Sequence, residues 1–339
     1  MNDFSYLKAV DLQEASTKLS EDRSNKIIAG GTNIVDLMKY FITESETLID
    51  INAIQDLKQI KTLKSGNLML GALMTNAETA YHPEIEKKYP LLSQAILAGA
   101  SAQIRNMATN GGNLLQKTRC YYYYDPHVPC NKRIPGSGCP AKTGYNRMHA
   151  ILGHSENCIA VFPSDMCVAL AALNATVHIE SLQGQRSLLF TDFHKLPGDT
   201  PQIDHDLQQG EIITGIELPN EDFSENYSYL KIRERSSYAF ALISVATAFK
   251  LENSIISDAR IALGGVAHKP WRNLEAEDYL KGKACTEEHF SKAADIILAD
   301  AKAFEYNEFK IKLAKKAIVR NCKMALDISS HRTGAKPSL

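Results

Sequence analysis

The hydrophobic pattern of this 339-residue chain breaks off once, and at length, between Cys120 and Cys158. The stretch CYYYYDPHVPCNKRIPGSGCPAKTGYNRMHAILGHSENC holds four of the seven cysteines and a run of four tyrosines, and it has neither a helical nor a strand period. Ordinary connections run to about 4–6 residues, so a loop this long is either functional or disordered.

Regular structure is legible around it. LQEASTKLSED has helical spacing. KIIAGGTNIVDLMKY reads as strand, glycine turn and helix; ETLIDINAI and NLMLGAL read as short strands. TNAETAYHPEIEKKYPLLSQAILAGA predicts two helices separated by Pro90, and IRNMATNGGNL a second glycine loop. Beyond the cysteines, SDMCVALAALNATVHI predicts a helix leading into a strand, and EIITGIELP another strand. Polar NEDFSENYS near residue 222 marks a domain boundary. Strand-like runs follow, then amphipathic helices at about 286–304 and 307–326, and a tail expected to fray. Helices and strands mix without clean alternation, which predicts an α+β fold.

The length allows two or three domains, each with its own core. A formal net charge of −1 supplies no field for nucleic acid or an anionic membrane. The first residues lack a basic segment followed by an apolar run, so no signal peptide is expected. The apolar stretch at residues 159–179 is broken by Pro163, Ser164 and Asp165 and contains Asn174, which predicts core rather than a membrane span. An odd cysteine count without a signal points to thiols kept for a metal or for reactivity, not to a disulfide framework. Cys167, Cys285 and Cys322 sit in apolar or helical contexts and are expected to be small core residues.

The other four cysteines follow spacings of nine, eight and eighteen residues. Structural zinc usually uses closely spaced pairs, and there are none here. Four soft thiolates suit zinc or an iron–sulfur cluster. Lys117, Arg119, Lys132, Arg133, Lys142 and Arg147 surround the thiols against only Asp125 and Glu156, a basic shell that would stabilise either anionic centre. Tyr121–Tyr124 are expected to pack as a lid, and His127, His149 and His154 to act as hydrogen-bonding loop residues.

The glycine turn at residues 29–33 follows a strand and precedes a helix, where free amides attract phosphate. It lacks the dinucleotide fingerprint, which needs three glycines at fixed spacing. NGGN at residues 110–113 is a second such loop. Ser164 and Asp165 form either a helix cap or a contact to ribose or ribityl hydroxyls. No acid–base dyad or nucleophile triad stands out, so no catalytic residue is assigned.

Taken in order, AGGTNIVDLM, QIRNMATNGGNL, PSDMCVALAALNA, IITGIELP, YLKIRERSSYAFALISVA and LGGVAHKPWRNLEAE resemble the FAD-binding medium subunit of the molybdenum hydroxylases, the xanthine dehydrogenase and carbon monoxide dehydrogenase family. The resemblance runs from about residue 2 to 328. The insertion with PCNKRIPGSGC is similar to the periplasmic aldehyde oxidoreductase type, whose FAD subunit carries an additional 4Fe–4S cluster. A flavin subunit of the 4-hydroxybenzoyl-CoA reductase type is the nearest alternative. A self-contained flavin oxidoreductase and a zinc-stapled interaction module are the others.

The resemblance implies a PCMH-type FAD-binding domain at residues 1–222. Its lobes would lie at about 1–57 and 58–222, with the cluster insertion at about 117–158. A smaller C-terminal α/β domain like that of the CO dehydrogenase flavoprotein would occupy 223–330, followed by a tail at 331–339. It also implies that Ile28, Ala29, Gly30, Gly31, Thr32, Asn33 and Ile34 cradle the FAD pyrophosphate. Thr109, Gly112 and Asn113 would form a second contact loop, and Ser164 and Asp165 would hold ribityl or nearby oxygens. Ile213 would pack on the cofactor, Lys231 would sit near the isoalloxazine, and Tyr238 to Phe240 would border it. Ala108 stands where many relatives have glycine. Cys120, Cys130, Cys139 and Cys158 would bind the cluster. The implied partners are a large molybdenum-cofactor subunit, a small subunit with 2Fe–2S clusters, and an external electron acceptor. The chain's own sequence implies a cytoplasmic protein, or a periplasmic one if a partner's twin-arginine signal carries it.

Overall fold

The computed structural model describes residues 1–236 and 238–330, so the expected tail at 331–339 lies outside the described residues. Twelve strands form three sheets among those residues. The first holds β1 (Ser5–Lys8), β2 (Lys26–Ile28) and β3 (Thr47–Asp50), all parallel in the order β1-β3-β2. The second holds β4 (Ile60–Thr62), β5 (Leu68–Gly71), β6 (Thr176–Ser181), β7 (Gly184–Leu189) and β8 (Ile212–Leu218), antiparallel in the order β4-β5-β8-β6-β7. The third holds β9 (Asn226–Ile232), β10 (Ile243–Glu252), β11 (Ile255–Gly264) and β12 (Trp271–Arg272), antiparallel in the order β12-β11-β10-β9.

The whole cysteine excursion falls between β5 and β6, which belong to the same sheet. That sheet closes without it, because β8 returns from far along the chain to pair with both β5 and β6.

One helix joins the parts. Asp165–Ala172 is buried along its entire length. Its Met166, Val168 and Leu170 share a core with Leu70 and Val177 of the second sheet and with Ala246 and Ala262 of the third. The opposite face of the third sheet packs Val245, Phe249 and Ile261 against helices Leu274–Leu280, Glu287–Ile297 and Phe309–Leu326. A smaller core beneath the first sheet unites Ile49 and Ala15.

Local signals explain most boundaries, and two of the differences from the sequence reading have plain local causes. The region expected to hold two helices holds three: Asn76–Ala80, Pro83–Lys88 and Pro90–Ala98. Pro83 starts a helix of its own, since proline suits the first turn and cannot continue the preceding one. Helix Leu274–Leu280 also lies outside the segments expected to be helical, and Asn273 caps it by accepting from the Ala276 amide. No helix among the described residues is long and apolar enough to cross a membrane.

Candidate functional site

Two glycine loops meet on one side of the molecule. After β2 the chain turns through Gly31 at φ +70°, a left-handed conformation that glycine adopts without steric cost. A Cβ on the preceding Gly30 would lie 1.8 Å from the Met107 carbonyl oxygen, so the first loop is pressed against residues 107 and 108 of the second. Among the described residues no hydrogen bond engages the amides of Gly30 to Asn33. Asn33 Nδ2 is buried without an acceptor in hydrogen-bonding geometry. In the second loop Thr109 caps helix Asn110–Leu114, its hydroxyl accepting from the Gly112 amide at 3.3 Å. Asn113 donates to Asn76 Oδ1 at 2.7 Å and accepts from the Ser164 hydroxyl at 2.5 Å. Ser164 also caps helix Asp165–Ala172 through the Cys167 amide. Thr109, Gly112, Asn113 and Ser164 thus form one connected surface beside the first loop.

Asp165 and Lys231 were expected to face the cofactor separately, but the structure pairs them. Lys231 Nζ donates to Asp165 Oδ2 at 2.7 Å, with side-chain exposures of 5% and 8%. The Tyr229 hydroxyl donates to Asp165 Oδ1 at 2.7 Å. Burial and the neighbouring carboxylate raise the Tyr229 pKa, keeping that hydroxyl protonated. Asp165 is thereby fixed, with its two neighbours holding both oxygens. Ile213 stands apart: it is buried in β8 opposite Ile179, within the core of the second sheet.

A cavity of about 190 Å³ opens beside Ser164 and Asp165. Its walls include Arg119, Phe162, Pro163, Phe240, Ser244 and Gly265. Phe240 comes from the segment expected to border a flavin ring, and the Arg119 guanidinium lies 5.3 Å from its ring centre. Arg119 also donates to Asp36 at 2.8 Å and to the Tyr124 hydroxyl at 2.7 Å. This links the helix after the first glycine loop to the cavity.

The four cysteines converge. Cys120, Cys130, Cys139 and Cys158 all line one small void, together with Tyr122, Tyr123 and Lys132. All are free thiols. Among the described residues, no group of three or more histidine, cysteine or carboxylate side chains is placed to hold a single metal ion. Burial pushes the Cys120 thiol up to about 12. A hydrogen bond between Cys139 and Cys158 lowers the former to about 6 and, together with burial, raises the latter. His149 Nε2 lies 3.1 Å from Cys120 Sγ, and burial lowers the imidazole pKa to about 4. The His149 backbone is held from the C-terminal part, where Lys310 Nζ donates to its carbonyl at 2.7 Å.

The surrounding charges match the sequence expectation only in part. Lys142 pairs with Glu156 and Arg147 with Glu234 at the surface. Arg133 donates to the carbonyls of Tyr122, Tyr123 and Val128, bracing the tyrosine helix Tyr121–Tyr124. Lys132 is the buried one. It and Lys117 both donate to Asp204, the latter at 2.6 Å. Burial alone would raise the Asp204 pKa, but the two ammonium groups outweigh it and hold the carboxyl far below its usual range.

The cradle fits a phosphate-bearing dinucleotide cofactor: the amides of Gly30 to Asn33 are unengaged, and an apolar-walled cavity opens beside Ser164, which bonds Asn113 of the second loop. Comparison with known proteins agrees. Residues 2–221 match the FAD binding domain in molybdopterin dehydrogenase, and residues 228–325 match the CO dehydrogenase flavoprotein C-terminal domain. The chain belongs to this family. It is an oxidoreductase subunit that binds FAD, of the molybdenum hydroxylase type.

The chain is 44% identical over 319 residues to the aldehyde oxidoreductase FAD-binding subunit PaoB of Escherichia coli K12, covering 94% of this chain and 96% of that one. It is 31% identical to the glyceraldehyde dehydrogenase medium chain of Sulfolobus acidocaldarius, covering 83% and 82%. The fold matches the carbon monoxide dehydrogenase of Hydrogenophaga pseudoflava with a TM-score of 0.75, at 24% identity, over 96% of this chain and 97% of that one.

Several residues of the site were not singled out by sequence. Arg119 and Lys132 counted only as charges, Ser244 and Gly265 lay inside family motifs with no role assigned to them, and Thr118 and Asp204 carried no motif. Arg119 offered one clue, a cation next to a candidate ligand. Asp204 lies in an irregular segment far from both loops and gave none.

Proposed function

We propose that this chain is the electron-transfer subunit of an aldehyde-oxidising molybdenum enzyme, and that its thiol loop binds a 4Fe–4S cluster beside the flavin. One observation carries the second part. Thr118 and Cys120 line both the cavity next to Ser164 and Asp165 and the void where the four thiols meet. A centre held by those thiols and a flavin ring in that cavity would be neighbours across one residue. The donor set fits a cluster: four soft thiols, no carboxylate among them, and a basic residue buried alongside. The relatives' names supply the aldehyde and the division into subunits, since PaoB is an aldehyde oxidoreductase subunit and the Sulfolobus protein a medium chain.

Bound FAD would accept electrons and pass them to an external acceptor. The chain's own residues bind and orient it. The glycine loops offer amides to the pyrophosphate, Asn113 and Ser164 present polar atoms at the junction, and Phe162, Pro163 and Phe240 exclude water from the ring's side. Buried His149 presents Nε2 to the Cys120 sulfur. When Cys120 serves as a ligand that sulfur carries no proton, so the imidazole N–H donates, and such bonds tune a cluster's potential. Substrate oxidation would take place on a large molybdenum subunit, with a small 2Fe–2S subunit between.

Anaerobic purification of the complex, followed by a visible spectrum and counts of iron, sulfide and flavin, tests the proposal. One flavin with four irons and four sulfides per chain, beyond those of the small subunit, is expected. Flavin without that iron would remove the cluster. A catalytically complete monomer would remove the subunit reading.

A further inference from the structure

The flavin loops and the thiol loop are joined by a chain of buried polar contacts through a single carboxylate. Asn33, in the first glycine loop, accepts from the Lys117 backbone amide at 2.9 Å. The side chain of Lys117 turns the other way and donates to Asp204 Oδ2 at 2.6 Å. The other oxygen of Asp204 takes the ammonium of Lys132, two residues past Cys130. Lys132 also donates to the Pro201 carbonyl, and its side chain is 3% exposed. The segment carrying Asp204 grips the thiol loop a second time, through Asn157, which donates to the Gly198 carbonyl and to Asp199. Asn157 in turn accepts from Asn131, the neighbour of Cys130.

Two lysines on one buried carboxylate leave a net positive charge where only one of the pair is neutralised. Lys132 lines the thiol void, so that charge faces the place where an anionic centre would sit. Displacing Lys132 leaves Asp204 with Lys117 as its sole partner, and Lys117 is the residue whose amide fixes Asn33. The other titratable side chains around Asp204 are neutral: burial holds His194 and His205 at about 4 and His268 at about 3.

We propose that Asp204 is a positioning residue that couples the two sites, transmitting the state of the thiol loop through Lys117 to the glycine loop that cradles FAD. The inference rests on the reading that the thiol loop carries a cluster, but the coupling can be measured on the flavin alone. Occupancy of the thiol loop sets the position of Lys132, Lys132 and Lys117 share Asp204, and Lys117 sets Asn33. FAD affinity therefore depends on a lysine that lines the thiol void and belongs to neither flavin loop.

The test is a double-mutant cycle on the full chain, with the FAD dissociation constant read by flavin fluorescence. Lys132→Met is expected to weaken FAD binding about three- to tenfold, and to add nothing further in the Asp204→Asn background. If Asp204→Asn does not fold, Lys117→Met replaces it, because Lys117 is the other end of the relay. The cluster's midpoint potential is the readout that simple loosening would not order by sign. It should shift negative in Lys132→Met, which removes a cation, and positive in Asp204→Asn, which removes an anion. Unchanged FAD affinity in Lys132→Met, or effects of the two substitutions that merely multiply, would overturn the coupling. If the wild-type chain holds no iron, the cluster reading fails while the FAD cycle still decides the coupling.

Discussion

The glycine loops are pinned by regular structure on both sides, whereas the thiol loop between Cys120 and Cys158 has only one short helix and a single 3₁₀ turn, Pro140–Lys142, to hold it. The first loop grows out of β2 and runs into helix Ile34–Lys39; the second is capped by Thr109 and bonded to Ser164. The thiol loop is held instead by contacts from elsewhere: side chains of Lys310 and Asn307 from the C-terminal part and of Asp204 from an irregular segment, and the amides of Ile151 and Leu152 donating to the Val266 carbonyl. Position in the first region comes from the backbone, and in the second from long-range polar contacts. Removing a thiol ligand should therefore act on the flavin only through the Lys132–Asp204–Lys117 contacts, whereas removing a tether should also loosen the loop itself.

The largest expected effect is on iron. Cys130→Ser should abolish the cluster while FAD stays bound, only about three- to tenfold more weakly, measured as iron content and flavin titration; iron at full stoichiometry would erase the distinction between the regions. Next comes Asp165→Ala, which leaves Lys231 buried without its counter-ion and should cost about 3–5 kcal/mol of stability. It should also weaken FAD binding without loss of iron, as calorimetry and flavin titration would show. Unchanged flavin affinity would make Asp165 purely structural. Gly30→Ala places a methyl against the Met107 carbonyl and should cost about 1–3 kcal/mol. Flavin should be released while iron remains, and retention of both would show that the loops can separate freely.

Acidification should act more gradually, and chiefly on the tethered side. His194, His205 and His268 are held below their ordinary value of 6.5 by burial. Below that value the unfolded chain binds protons that the folded chain refuses until about pH 4 or lower, so stability falls as pH drops through that window. Asp204 adds to the fall at lower pH, since its contribution is present above the usual carboxylate range and lost as protonation reaches the folded protein. Thermal melts between pH 7 and 4 should show a falling midpoint, and a flat profile would contradict the burial of these rings. The smallest effect is Ser164→Ala, which removes a helix cap worth about 1 kcal/mol and should loosen FAD only slightly.

The local backbone of the two glycine loops was legible from residues alone. A strand, Gly-Gly, helix order around residues 26–39 and the NGGN sequence are local signals, and local backbone geometry follows from them. Lys231 and Asp165 show where this stopped. Each was expected near the cofactor, and neither sequence position suggested that the two form a buried pair bridging β9 and helix Asp165–Ala172. Pro83 shows the same limit on a smaller scale, dividing a segment that periodicity alone left whole.

Sequence determined the α+β character of the chain, the ordered family motifs, the two glycine loops and the identity of four candidate thiols. It also marked the thiol loop as a long excursion without a regular period, though Ile151 and Leu152 within it pack into the core under the third sheet. Only the tertiary structure decided that the four thiols, spread over a stretch from Cys120 to Cys158, line one void, and that Thr118 and Cys120 line both that void and the cavity beside Ser164 and Asp165. It alone brought Asp204 between Lys117 and Lys132. The reason is physical: glycine turns and caps are set by neighbours in the chain, whereas a buried ion pair or a shared cavity wall is set by residues that meet only after the strands around them have paired.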